Sequence, residues 1–261
     1  MKVLAIGDVV GKPGRRAVAA LLPGLRRDLA IDVVIANGEN AAAGRGLTTK
    51  TANDMFDAGV DVLTSGNHIW DQAEIIPKLD ETDRIIRPAN YPDAAPGRGI
   101  AQFGALTIIN LMGRTFMQEI DDPFAAADRL LAGLADAVVV VDMHAEATSE
   151  KVAMAWHLDG RVAAVFGTHT HVPTADQRLM PRGTAFVCDL GMCGVRDSII
   201  GVEPAPVLRK FLTGMPARFK VAEHHGAVTF NSVLIDIDDS TRLARSIERV
   251  DREWTPEDVP K

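Results

Sequence analysis

Five short apolar runs in this chain each end on residues able to do chemistry. KVLAIG (2–7) leads into Asp8, DVVIA (32–36) into Asn37-Gly38-Glu39-Asn40, and DVLTSG (61–66) into Asn67-His68. AVVVVDM (137–143) leads into His144, and AAVFG (163–167) into Thr168-His169-Thr170-His171. The set holds two carboxylates (Asp8, Glu39), two amides (Asn40, Asn67) and four imidazoles (His68, His144, His169, His171), with no thiolate in any motif. Nitrogen and oxygen donors in that mixture suit manganese, iron or zinc and disfavour a structural thiolate site. Even seven of these donors are too many for one ion. Two ions about 3.5–4 Å apart, sharing a carboxylate, would use them and keep positions open for water and an oxyanion. That is a hydrolytic dinuclear centre.

Each motif also has a plainer reading. Asp8 could cap a turn, His144 could be a satisfied core histidine, and Glu39 could be the polar lip of a loop. His169 and His171 are harder to set aside, because alternate residues of an extended segment share one face. Gly66 permits a tight turn before Asn67-His68. The joint pattern decides: in open α/β sheets, ligands bind beyond the carboxyl ends of the strands, and five strands deliver these residues to one rim. By contrast, GDVVGKP (7–13) has one residue too few between its glycines for a phosphate loop, with Pro13 where a Ser or Thr should hold magnesium. Residues 44–46, GRG, do not form a dinucleotide fingerprint. His157, beside Trp156 on an expected helix, reads as structural, and His224 and His225 as surface residues.

The elements that must position these residues follow from periodicity. Strands are expected at 2–7, 32–36, 60–64, 105–111, 137–142 and 161–167, alternating with helices at 15–30, 48–58, 123–134 and 148–158 that cover the sheet. Pro23 is expected to kink or split the first helix. Residues 87–99 read as a loop. Beyond Gly183, strand-like pieces at 184–188, 227–237 and 243–250, with a short helix at 205–212, suggest a second, more antiparallel sheet completing a sandwich. WTPEDVPK (254–261) reads as a loose tail.

Composition bounds what such a site can serve. The chain has 261 residues with 28 Lys+Arg against 35 Asp+Glu, a formal net charge of −7, so the basic face of a protein that grips a nucleic-acid backbone is not expected. A small phosphodiester is a different matter: two divalent ions would turn a shell carrying only two formal negatives net positive. At 47% hydrophobic and 24% charged the composition is that of a globular protein. Cys188 and Cys193 match neither a zinc ribbon nor a redox pair and read as buried small hydrophobes. The opening residues are too short an apolar run for a signal peptide, and 137–141 falls far short of a membrane span, so a cytoplasmic protein is expected. Symmetry statistics favour a homo-oligomer only weakly.

The ordered motifs resemble the calcineurin-like metallophosphoesterases, and within them the YmdB-like bacterial branch of cyclic-nucleotide phosphodiesterases. GDVVGKPGRR (7–16), NGENAAAGRGLT (37–48), GNHIWD (66–71), DMHAEATSEK (142–151) and GTHTHVPTAD (167–176) carry the resemblance over nearly the whole chain. Two departures from the wider superfamily, Asp8-Val9-Val10 in place of Asp-x-His and Glu39 in place of a bridging Asp, are those expected of this branch. The resemblance implies an α/β fold, a four-layer sandwich of two mixed β-sheets flanked by helices, in one domain over 1–261.

The resemblance further implies one metal held by Asp8, Glu39, Asn40 and His171, and a second by Glu39, Asn67, His144 and His169. The ions would be divalent, iron or manganese first, with magnesium or zinc as alternatives. His68, beside the ligand Asn67, would protonate the leaving oxygen; Ile69 stands where the superfamily has an acid, so Asp71 is the expected orienting partner. Arg45 and Lys151 would meet substrate phosphate or lie on solvated surface. The implied activity is hydrolysis of small phosphodiesters such as 2′,3′-cyclic AMP, with a phosphomonoesterase, a nuclease, or a metal- and nucleotide-binding regulator as alternatives. Its expected partner is a small phosphodiester, with neither a membrane nor a stable nucleic-acid complex.

Overall fold

A computed structural model describes residues 1–223 and 226–256. Two mixed sheets pack face to face with helices on both outer sides, as expected. In the first sheet β1 (Lys2–Val9) lies parallel to β2 (Val33–Asn37), which lies parallel to β3 (Val62–Thr64). The other edge of β1 changes partner along its length: Lys2 to Ile6 pair antiparallel with β12 (Ser232–Ile237), while Asp8 and Val9 pair parallel with β10 (Met192–Val195). Beyond these lie β13 (Ala244–Arg249) on β12, then β11 (Val228–Phe230) on β10 and β14 (Arg252–Trp254) on β11. The second sheet has the order β4 (Ile100–Phe103), β5 (Leu106–Met112), β6 (Val138–His144), β7 (Ala164–Thr168), β9 (Ala185–Val187), β8 (Arg178–Leu179), parallel from β5 through β9 with antiparallel edges.

Strands buried on both faces read as continuous apolar runs, and alternation sorts their side chains between two cores. Val3, Ala5, Val33 and Ile35 face Ile108, Val140 and Phe166 between the sheets. Leu4, Ile6 and Val34 face the helices α1 (Gly11–Asp28) and α2 (Thr49–Asp57). Ile109, Val141 and Val165 face α3 (Pro123–Leu131) and α4 (Thr148–Leu158). Helix starts are specified locally: Thr48 and Thr51 form a capping box on α2, and Asp122 caps α3 ahead of Pro123. A further helix, α5 (Pro204–Thr213), closes on Gly214 in the left-handed region.

Four expectations are corrected. The early strands divide between two sheets, β1–β3 in one and β5–β7 in the other, and the late pieces join both sheets instead of forming a new one. The run 227–237 is two strands broken at Asn231, whose side-chain oxygen accepts from Met192 N while its carbonyl accepts from Gly7 N, so β11 and β12 serve different neighbours. Helix α1 begins at Gly11 and continues unbroken through Pro23. Pro23 is on the exposed side, where water can take the carbonyl its ring deprives of a partner. Trp254 belongs to β14 and not to a tail; 257–261, like His224 and His225, lie outside the described residues. Cys188 and Cys193 are buried and unlinked as expected, and His157 is structural, its Nε2 2.9 Å from Asp128 and its ring edge-on to Phe124. Among the described residues, no helix is long and apolar enough to cross a membrane.

Glycine matters most where sheet and helix meet beneath the strand ends. A Cβ at Gly167 would strike the Cys188 carbonyl and the Lys151 stem, whereas one at Gly24 in α1 meets nothing within 4 Å. Gly167→Ala is expected to destabilise by about 1–3 kcal/mol through overpacking, and Gly24→Ala to stabilise by about 0.5–1 kcal/mol through helix propensity. Urea unfolding of the two variants beside the parent checks both signs.

Candidate functional site

The space between the sheets is apolar over most of its length and turns polar at the carboxyl ends of β1, β2, β6 and β7. Register brings the residues together: Asp8 sits opposite Asn37 and Met192, and His144 opposite Thr168. Polar links cross from one sheet to the other there. Thr64 Oγ1 donates to Asp142 Oδ2 at 2.5 Å and Asn37 Nδ2 donates to Thr168 Oγ1 at 3.4 Å, while within the second sheet Thr168 Oγ1 donates to Asp142 Oδ1 at 2.8 Å. Asp142 is fully buried among them, and burial pushes its pKa up to about 7 against the opposing charge of His144 and the two threonine hydrogen bonds.

Around His144 the donor atoms crowd one point. Its Nε2 lies 3.1 Å from each of Glu39 Oε1, Asn67 Oδ1 and His169 Nδ1. A single ring proton cannot serve three acceptors, whereas a cation can take lone pairs from all four residues. The far sides of the rings favour that arrangement. Thr168 gives its proton to Asp142, so at 2.9 Å it accepts from His144 Nδ1–H and leaves the Nε2 lone pair inward. His169 Nε2 lies 3.0 Å from Glu146, which leaves Nδ1 inward. The backbone makes room: a Cβ at Gly66 would overlap the His144 ring.

A second group lies around Asp8. Asp8 Oδ2 accepts from His169 N–H at 3.1 Å, while Oδ1 is buried and, among the described residues, has no hydrogen-bond partner; His171 Nε2 stands 3.8 Å from it. His171 Nε2 is also 3.2 Å from Asn40 Oδ1. The Ile200 carbonyl can only accept, so at 2.9 Å it fixes the proton on His171 Nδ1; Asn40 Nδ2 donates to Gly44 O at 3.0 Å, turning its oxygen inward. An orphaned buried carboxylate oxygen facing an unprotonated imidazole nitrogen and an amide oxygen fits a hard cation. All seven predicted ligands are therefore brought to the same rim, Glu39, Asn67, His144 and His169 around one point and Asp8, Asn40 and His171 around another.

Protonation in this cluster is strongly coupled to burial and charge. Burial pushes the Glu39 carboxyl up, but His144 and the His68 amide outweigh it and hold its pKa at about 2. Burial would depress His144, but Glu39 raises its pKa to about 9. His169, buried beside His144, falls to about 3. Burial raises Asp8 against the pull of His171 and His144.

His68 donates its backbone N–H to Glu39 Oε2 at 3.0 Å, and its Nδ1 is 2.9 Å from Asp71 Oδ2, the expected orienting partner. Arg45 Nε approaches the same Asp71 oxygen at 3.6 Å on the exposed side. Lys151 contradicts both of its expected roles. It is 1% exposed, with Nζ 2.7 Å from Asp189 Oδ2. The same oxygen accepts from Thr170 Oγ1 at 2.8 Å and Thr170 N at 3.2 Å, so the pair anchors the residue between the two site histidines. Nor is 169–171 extended: His169 and His171 have φ of +99° and +65°, and the turn aims the two rings into different donor groups where a strand would aim them alike. Sequence reasoning misses Asp142, Glu146 and Asp189 as supports. Asp142 has a signal, two places before His144 on the same strand face; Asp189 has none, being 38 residues from Lys151.

With this geometry in view, comparison with known families is decisive: the model of the YmdB-like protein family matches residues 4–250. The chain belongs to the YmdB-like family. Among relatives, a Bacillus subtilis protein named 2′,3′-cyclic-nucleotide 2′-phosphodiesterase is 48% identical over 256 residues, 96% of each chain. A crystal structure of a hypothetical protein from Thermus thermophilus superposes with a TM-score of 0.91 at 45% identity, covering 98% of this chain and 100% of the other. A crystal structure described as a phosphatase from Mycoplasma pneumoniae gives 0.92 at 33% identity over 98% and 95% of the two chains. Both solved chains thus share the whole fold of this YmdB-like protein.

The site's buried charges set two expected outcomes. Lys151→Met would leave Asp189 buried and unpaired and is expected to cost about 3–5 kcal/mol of unfolding free energy, read by urea denaturation. In metal-free protein the His144 imidazolium paired with Glu39 contributes stability that is fully present below pH 6.5 and lost as pH rises through about 9. The melting temperature of chelator-treated protein is therefore expected to fall between these values, with a smaller fall in His144→Gln.

Proposed function

We propose that the protein is a metal-dependent phosphodiesterase acting on small cyclic phosphodiesters, with 2′,3′-cyclic nucleotides as the substrate class. The observation that carries the reading is the convergence of Glu39, Asn67 and His169 donor atoms on His144 Nε2, beside the orphaned Asp8 Oδ1, in a member of a family with a named cyclic-nucleotide phosphodiesterase. Glu39, Asn67, His144 and His169 would hold one divalent ion, and Asp8, Glu39, Asn40 and His171 the other. When bound, such ions supply Lewis acidity toward phosphoryl oxygens and a lowered pKa for the attacking water.

The chain's own residues supply the remainder. Asp142 through Thr168, Glu146, and the Ile200 carbonyl fix the three histidine rings so that lone pairs face inward without reorganisation. Asp71 engages His68 Nδ1, and the ring's other nitrogen delivers a proton to the leaving oxygen. On a 2′,3′-cyclic nucleotide, water oxygen bonds to phosphorus and gives one proton to solvent, the bond from phosphorus to one ribose oxygen breaks, and that oxygen takes its proton from His68, which solvent then reprotonates. The product is a nucleoside monophosphate.

His68→Ala is expected to keep its metal, measured by elemental analysis, while turnover of adenosine 2′,3′-cyclic phosphate falls by about 10²–10⁴. Asn67→Ala is expected to lower bound metal per chain. Full activity of His68→Ala on both a cyclic nucleotide and an artificial diester would remove the acid role.

A further inference from the structure

A cleft of about 830 Å³ opens beside the candidate metal centre and shares Asn40, His68 and His171 with it. That volume suits a small-molecule ligand, and of the donor residues only Asn40 and His171 line it. The far wall has a different character. It is built from α5 and the segment after it, with Val207 and the aromatic rings of Phe211 and Phe219 lining the cleft and Lys210 and Arg218 as its cations, while Arg45 lines it from the loop after Asn40. No carboxylate is among the described lining residues of a chain whose net charge is −7. Aromatic residues are 5% of the chain, yet Phe211 is left 80% exposed and Phe219 42% exposed.

This wall is coupled to the centre by covalent and packed connections. Ile200 and Gly201 both have positive φ, +48° and +94°, at the tip of a tight hairpin closed by Ile199 and Val202. A β-branched residue is rarely found there, and the turn aims the Ile200 carbonyl at His171 Nδ1. Val202 then pairs with Val221, two residues beyond Phe219. Val221 in turn packs so closely on Gly44 and Gly11 that a Cβ at either would lie within 2.8 Å of it. The apolar wall is thus held against both the loop carrying Asn40 and the histidine opposite it. Lys210 Nζ sits 5.2 Å from the centre of the Phe219 ring, so one face of that ring carries a cation and the other remains for a stacked partner.

We infer that this cleft is a nucleoside subsite: it receives the base of the substrate against Phe219 and Phe211, while the phosphodiester lies at the donor groups by His68. The inference rests on the phosphodiesterase reading and adds that the enzyme recognises the base as well as the phosphorus. Apolar aromatic faces stack on any base, so the subsite favours the larger purine surface over pyrimidines.

The test compares adenosine 2′,3′-cyclic phosphate with glycerol 1,2-cyclic phosphate, which carries the same five-membered phosphodiester ring and no base. The parent enzyme is expected to show a higher kcat/KM on the nucleotide. Phe219→Ala is expected to lower that value about tenfold more for the nucleotide than for the glycerol diester, mainly through KM, the size of one lost base–aromatic stack. Phe211→Ala, at a position exposed enough to leave the fold untouched, should act in the same direction. Equal losses on both substrates, or none on either, would overturn the subsite. Calorimetric binding of adenosine 3′-monophosphate keeps the two readings apart. If the parent hydrolyses neither diester but binds this nucleotide about tenfold more tightly than Phe219→Ala does, the subsite stands and the reaction reading falls. If Phe219→Ala binds it as the parent does, the subsite falls.

Discussion

Three lone-pair atoms lie 3.1 Å from a single imidazole nitrogen, Nε2 of the fully buried His144. Such crowding is costly for a protein on its own, because one proton can satisfy one acceptor and the others stay desolvated. It becomes favourable when a cation shares the lone pairs. Much of the surrounding architecture serves to keep these atoms from relaxing apart. Parallel β6 and β7 set His144 beside Thr168, and the fork in β1 places Asp8 where its partner strand changes from β12 to β10. The missing side chain of Gly66 lets the His144 ring lie on the backbone of the loop after β3.

Behind the donors stands a second layer in which each inward lone pair is set by an outward hydrogen bond. Asp142 acts on His144 through Thr168, Glu146 on His169, and the Ile200 carbonyl on His171. Asp189 and Lys151 hold Thr170 between the last two histidines, which allows both flanking residues to keep a backbone conformation that L-residues seldom adopt. A buried ion pair is a poor source of stability by itself; its value here is that it fixes a turn on which two side chains of the site depend.

The rim residues are legible in the sequence because each follows a β-branched run, and a strand buried on both faces leaves little doubt about where it ends. His144 and Asp8 lie within their strands and not after them, a shift that moves no side chain away from the rim. What is not legible depends on partners distant in the chain. Lys151 reads as a surface cation until Asp189 is placed beside it. The division of the early strands into two sheets cannot be told from alternation, because every strand has apolar residues on both faces whichever sheet it joins. The turn at 169–171 reads as extended because two histidines one residue apart fit a strand as well as a bend. Pro23 reads as a break in α1, and its position on the solvent side is a tertiary fact.

Charge completes the account. A chain of net charge −7 is poorly suited to hold a long polyanion on its surface, yet it buries two carboxylates among neutral donors where divalent ions would reverse the local sign. Anomalous diffraction from crystals of protein purified without added metal measures this most directly. Two peaks are expected, one among Glu39, Asn67, His144 and His169 and the other among Asp8, Glu39, Asn40 and His171. Density without anomalous signal at these residues, or a single peak coordinated elsewhere, would contradict it.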